Sequence, residues 1–130
     1  MSRPVKRSIL INGMTRTYLR VAPAGDATDR ALVLVLHGSN QSARVIRRYS
    51  DRTFDSLASR GAVVAYLDGF RGDWNDARVM SISPARRNNV DDVAFVSAAI
   101  DDLVAEDNVD RTRVFIVGFS AGGYMTIRVI

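Results

Sequence analysis

Polar and apolar residues broadly alternate from Arg7 to Val21, in "RSILI" and "TRTYLRV" on either side of Asn12-Gly13. A period of two places successive side chains on opposite faces of a strand, and Asn-Gly tolerates the positive φ of a two-residue hairpin turn. The segment predicts an antiparallel β-hairpin followed by a loop over 23–29. Three later stretches are continuous rather than alternating: "ALVLVL" (31–36), "AVVAYL" (62–67) and "RVFIVGF" (113–119). Short, β-branched apolar runs of this kind suit strands of a parallel sheet covered on both faces.

The segments between these runs have helical spacing. Ile46, Tyr49, Phe54, Leu57 and Ala58 recur at near-helical intervals after Ser42; Ser50-Asp51 is a point where the helix could divide, and Gly61 stands where a left-handed C-terminal cap belongs. From Val90 to Val104, the residues Val93, Val96, Ile100, Leu103 and Val104 share one face, with Asp91 and Asp92 in the first turn, where negative charge favours the helix dipole. "AGGYMTIRVI" (121–130) begins a last helix, and 68–89 is a long turn-rich excursion of the kind that is usually functional or mobile. Hairpin, strand, helix, strand, helix, strand, helix is the order of an α/β protein. It predicts a mostly parallel sheet with an N-terminal antiparallel hairpin, right-handed crossovers and helices on both faces. At 130 residues it predicts one domain, without internal repeats.

Composition narrows the function without choosing it. Hydrophobic residues at 47% and charged residues at 25% are ordinary for a folded soluble protein. The net charge of +4 raises the question of nucleic acid, but the arginines are scattered from Arg3 to Arg128 among aspartates and form no phosphate-binding stripe. No nucleic-acid partner is expected. Lys6 is the only lysine and Glu106 the only glutamate, a bias that looks like coding composition. The absence of cysteine removes disulfides, cysteine-ligated metals and a thiol nucleophile. No window approaches the ~18 apolar residues of a membrane span, and the N-terminus lacks the apolar core of a secretory signal. The expectation is a cytoplasmic protein with no membrane partner, or an exported one if its natural start lies elsewhere.

Chemistry concentrates at Gly118-Phe119-Ser120-Ala121-Gly122. G-x-S-x-G between an apolar strand and a small-residue helix start is the context of a nucleophile elbow: a sharp turn holds the serine in strained geometry with its hydroxyl exposed. Gly123 adds a further small position. The oxyanion formed by attack of such a serine needs two donors. The Ala121 backbone N–H is one, and the loop His37-Gly38-Ser39-Asn40 offers the other through Ser39 or Asn40. Trp74, with Asn75 and Asp76, either lines an acyl or aromatic pocket or pins its loop. Asp68-Gly69 reads as turn chemistry, and Asp91 with Asp92 as helix capping.

Taken together and in order, "VLVLHGSNQSA", "GAVVAYLDG", "WND", "VDDVAFVSAAIDDL" and "VDRTRVFIVGFSAGGYMT" resemble the polyhydroxybutyrate depolymerase and feruloyl esterase-like branch of the α/β-hydrolases. The resemblance implies Ser120 as nucleophile, the Ser39 and Ala121 amides as oxyanion hole, a carboxylic ester as substrate, and no metal or cofactor. Asn40, Trp74 and Tyr124 are then candidate substrate-lining residues, and His37 is a residue that orders the oxyanion loop rather than a base.

The chain departs from that pattern in one respect. The family's acid and base follow the nucleophile in sequence, yet residues 121–130 contain no Asp, Glu or His. The expectation is an N-terminal portion of an esterase, inactive alone, whose strand "VFIV" is an uncovered apolar edge prone to self-association. The alternative is a non-enzymatic module that binds a partner through that edge.

Overall fold

In the computed structural model, residues 3–78 and 83–130 are described. Residues 79–82, part of the long excursion after the second buried strand, lie outside them, as do residues 1 and 2. The hairpin forms as the alternation predicts: β1 (Val5–Ile11) and β2 (Met14–Val21) pair antiparallel with Ile11 opposite Met14. Asn12 and Gly13 between them take φ of 50° and 77°.

β3 (Arg30–Leu36), β4 (Val63–Leu67) and β5 (Val109–Gly118) form from the three apolar runs, and the sheet order is β1-β2-β4-β3-β5. β3 and β4 are buried, whereas β5, expected to be covered on both faces, is mostly half-buried or exposed because it lies at the edge of the sheet. β3 pairs parallel with both β4 and β5, while β2 joins β4 antiparallel. The sheet is therefore mixed, a parallel β4-β3-β5 unit extended by the N-terminal antiparallel hairpin that the sequence predicts. β5 also begins earlier than its apolar core, at Val109, with an irregular register against β3 between Arg30 and Leu32.

Alternate side chains of the central strands supply two cores. Leu32, Leu34, Leu36, Ala65 and Leu67 face Phe95, Val96, Ala99 and Leu103 of α3 (Asp92–Asp107) and Ala121 and Met125 of α4 (Ala121–Val129). Val33, Val35, Val64 and Tyr66 face Ala43 and Ile46 of α1 (Ala43–Tyr49), together with Ala58 of the 3-10 segment Thr53–Arg60. Complete burial of a Leu or Phe side chain contributes about 1.5–3 kcal/mol, so these two layers are what hold the strand ends in place.

The first helix divides at Ser50-Asp51, with Asp51 and Arg52 both left-handed, and Gly61 caps the second part at φ 92°. Two expected core residues point outward: Tyr49 is 81% exposed and Val93 37% exposed. The break explains Tyr49, since it occupies the last turn before the chain reverses. On α3, Phe95, Ala99 and Asp92 belong to the buried face, which is rotated from the stripe that counted Val93. A short α2 (Pro84–Arg87), capped by Ser83, precedes α3.

Candidate active site

The serine sits where a strand must become a helix within one residue. β5 ends at Gly118, α4 starts at Ala121, and Ser120 between them takes φ 51° and ψ −114°. That conformation is costly for a residue with a Cβ. It persists because its neighbours leave no alternative: a Cβ on Gly118 would collide with the Gly122 carbonyl, and one on Gly122 would collide with the carbonyls of Leu36 and His37. The two motif glycines let α4 press onto the end of β3. Gly123 differs, since a Cβ there would meet nothing nearer than 3.6 Å, so no close approach requires that glycine. Ser120 is exposed, and the Phe119 N–H donates to the Leu36 carbonyl at 3.1 Å, fastening the elbow to β3.

The candidate oxyanion loop, residues 37–40, follows directly from β3. A Cβ on Gly38 would lie 3.5 Å from the Phe119 carbonyl, so this loop and the elbow are in contact. Among the described residues, the backbone N–H groups of Ser39 and Ala121 have no hydrogen-bond acceptor. Both are left free to bind a ligand oxygen. Asn40 is exposed with φ 57°, and the Gly38 N–H is engaged by the Gln41 side chain at 2.9 Å.

His37 is fully buried, with both ring nitrogens in use. The Gly69 N–H donates to Nε2 at 2.9 Å, which makes Nε2 an acceptor, so the proton is on Nδ1 and is donated to the Gly38 carbonyl at 2.7 Å. Burial holds its pKa below the ordinary 6.5, against a weaker opposing pull from the Gly38 carbonyl and from Asp68, Asp73 and Asp92. A neutral imidazole with no free nitrogen orders a loop and cannot take a proton from Ser120.

Trp74 is also fully buried, with its indole N–H donating to the His37 carbonyl at 2.8 Å and its ring 4.9 Å from the imidazole. Of the two roles open to it, its contacts serve the pinning of the loop. Tyr124, one helical turn after Ser120, is 45% exposed and lies under the Arg78 guanidinium.

Three contributors were not legible as site residues. Asp73 accepts from the Ser39 hydroxyl at 3.2 Å and from the Trp74 N–H at 2.9 Å, so it ties the oxyanion loop to the loop after β4. Asp68 does more than turn: its carboxylate accepts from the Ala43 N–H at the start of α1 and from the Thr17 hydroxyl, both at 2.7 Å. Asp92, read as a cap, is a buried partner of Arg16 at 2.6 Å and accepts from the Asn75 N–H, while Asp91 does the capping. Burial pushes the Asp92 carboxyl up, and the Arg16 charge pulls it back. No local signal marks these residues, because, apart from Trp74 beside Asp73, these partners are 17 to 76 positions away. Among the described residues no group of three or more His, Cys, Asp or Glu is placed to hold a metal ion, and no helix is long and apolar enough to cross a membrane.

Residues 48–130, more than half of the chain, match the model of the prolyl oligopeptidase family. The chain belongs to the prolyl oligopeptidase family. The matched region takes in α3, β5 and the elbow, and this prolyl oligopeptidase relative is similar to several named esterases. The putative esterase NocK of Nocardia uniformis subsp. tsuyamanensis is 36% identical over 94% of this chain and 36% of its own length. The bifunctional acetylxylan esterase/xylanase XynS20E of Neocallimastix patriciarum is 34% identical over 81% of this chain and 14% of its own length. Feruloyl esterase B of Piromyces equi is 31% identical over 80% and 19%. The chain thus spans well under half the length of the curated relatives it matches. The crystal structure of native sOPH shares the fold at TM-score 0.75, with 23% identity over 98% of this chain and 46% of that one. The fold is a partial α/β-hydrolase fold, as the motif order implied.

Proposed function

We propose that this chain carries the nucleophile and oxyanion hole of a serine carboxylic-ester hydrolase. The observation that carries the reading is Ser120 itself: exposed, strained at φ 51° and ψ −114°, and next to an unbonded Ala121 N–H. Ser120 Oγ would attack the ester carbonyl carbon while its proton passes to a base. The Ser39 and Ala121 N–H groups would receive the developing oxyanion, the C–O bond to the alcohol would break, and water would later release the acid from the acyl-enzyme. This chemistry draws on no metal or cofactor. The esterase names of the relatives support a carboxylic ester as substrate, of the acetyl or feruloyl type, and the motif resemblance adds polyesters. Asn40 and Tyr124 are the exposed residues best placed along the chain to meet it.

The base is the missing part. His37 is the only histidine and has no free nitrogen, and residues 121–130 supply neither acid nor histidine. The 130-residue chain is therefore expected to be acylated slowly and not to turn over. With a serine-directed fluorophosphonate, purified protein should acquire one slow label, lost in S120A, while nitrophenyl acetate turnover stays at background. Absence of label on the folded protein would remove the nucleophile assignment. Turnover at the rate of a complete esterase would remove the missing-base argument.

One observation favours a second reading, a binding module that acts through its sheet edge: β5 is paired only on its β3 side, and Phe115 on it is 59% exposed. That reading predicts no label at Ser120 and is separated from the first by the same assay.

A further inference from the structure

The arginines look scattered along the chain, but folding sorts them into two populations. Among the described residues, six form ion pairs with aspartates. Arg7 and Arg20 meet Asp107, Arg16 meets Asp92, Arg78 meets Asp76 and Arg111 meets Asp101. Arg30, Arg86, Arg113 and Arg128 donate to backbone carbonyls. The hairpin shows the contrast most clearly. On its α3 face, Arg7 and Arg20 find the carboxylate of Asp107. On its α1 face, Lys6 lies opposite Leu19 and makes no ion pair among the described residues, with arginines lining the groove beside it.

Those arginines line an open groove of about 370 Å³ between the hairpin and α1: Arg44, Arg47, Arg48 and Arg52, with Lys6 on the other wall and Pro4 and Leu19 between them. Arg47 is held by Asp55 at 2.7 Å, and the other Asp55 oxygen accepts from the Tyr66 hydroxyl. Asp55 is therefore fully occupied. Among the described residues, the side chains of Lys6, Arg44, Arg48 and Arg52 make no ion pair and no hydrogen bond. A smaller adjoining hollow adds Ser42 and Asp68, whose carboxylate accepts from the Ala43 N–H and the Thr17 hydroxyl and makes no ion pair among the described residues. Arg52 is delivered to the groove by a left-handed backbone at φ 54°, which few non-glycine residues adopt.

We infer that this groove binds a small, multiply charged oxyanion ligand, in class a phosphate-bearing small molecule. Four cations without ion-pair partners face one bordering carboxylate, Asp68, so positive charge is in excess, and a ligand supplying two or more negative charges balances it. Guanidinium forks match phosphate oxygens, and the single lysine adds a point charge. The volume falls at the small end of small-ligand sites. The cations are confined to one groove rather than drawn out along a stripe, and no aromatic side chain lines it to stack a base. These features favour a compact anion over a nucleic-acid strand.

The probe is pyrophosphate, titrated calorimetrically into the purified protein at low salt. The expected result is saturable one-to-one binding that weakens with added salt. Arg48→Gln with Arg52→Gln should lose about tenfold or more in affinity, as the loss of charge-assisted bonds implies. Lys6→Gln, from the opposite wall, should weaken binding in the same direction. Arg60→Gln with Arg87→Gln removes the same net charge outside the groove and should leave affinity unchanged. All these side chains are exposed, so equal melting temperatures should show that the variants remain folded. No saturation up to about 10 mM, or equal losses in the groove and control variants, overturns the proposal. Much tighter binding of a single-stranded oligonucleotide through the same arginines also overturns it, in favour of a nucleic-acid surface.

Discussion

Three glycines in a row of six residues do different jobs, and the difference is one of ångströms. Gly118 and Gly122 are excluded from carrying a Cβ by carbonyls that belong to the elbow and to β3, whereas Gly123 has ordinary van der Waals room. Gly122→Ala should therefore destabilise the protein by about 1–3 kcal/mol or more through overpacking. Gly123→Ala, within α4, should be neutral or stabilising by up to about 1 kcal/mol from helix propensity. Paired urea melts read both, and equal effects at the two sites would contradict the packing described. The G-x-S-x-G spacing made the serine legible because strand, turn and helix are all local. What could not be read locally was the engagement of His37, since its ring meets Gly69 N–H across 32 positions.

At the scale of elements, the candidate oxyanion loop is held by β3 behind it and by the loop after β4 through Gly69, Asp73 and Trp74, while Asp68 fastens the start of α1 to that second loop. His37 lies at the centre, and its protonation would turn Nε2 into a second donor facing the Gly69 N–H. Its folded pKa lies below the ordinary 6.5, so between the two values the unfolded chain binds more protons than the folded one. The contribution is fully present above pH 6.5 and is lost as pH falls through that window towards the folded value. Melting temperatures measured downward from pH 7 should show this decline in the native protein and a smaller one in His37→Gln. An identical profile in the two would mean that the imidazole is not linked to folding. The hairpin, the division of the first helix and the Gly61 cap were readable because each depends on a few adjacent residues. The rotation of the α3 face was not, because which stripe is buried depends on where β1 and β4 lie, and Asp92 is drawn inward by Arg16 of β2.

For the whole molecule, the sheet is unequal at its two sides. β1 carries Lys6 and Arg7 beside an exposed Leu10, charges that discourage pairing, whereas the exposed residues of β5 include Phe115, and the adjoining helix presents Ile127 at 61% exposure. Sedimentation velocity should show association of the 130-residue chain that grows with concentration. Phe115→Lys should reduce it without lowering the melting temperature, since the wild-type side chain has little core contact to lose. A monomer at every concentration would show that this edge is protected in some other way.

Taken alone, the sequence determined the order of elements, the elbow at Ser120, the loop that faces it and the absence of a second histidine. These are properties of short windows, where periodicity, β-branching and glycine spacing act directly. Only the tertiary structure decided that the strand order is β1-β2-β4-β3-β5, that Trp74 is buried behind His37, that Asp68, Asp73 and Asp92 are structural anchors around the site, and that four scattered cations share one groove. Those outcomes rest on contacts between residues far apart in the chain, and no local pattern encodes which distant charge a side chain will meet.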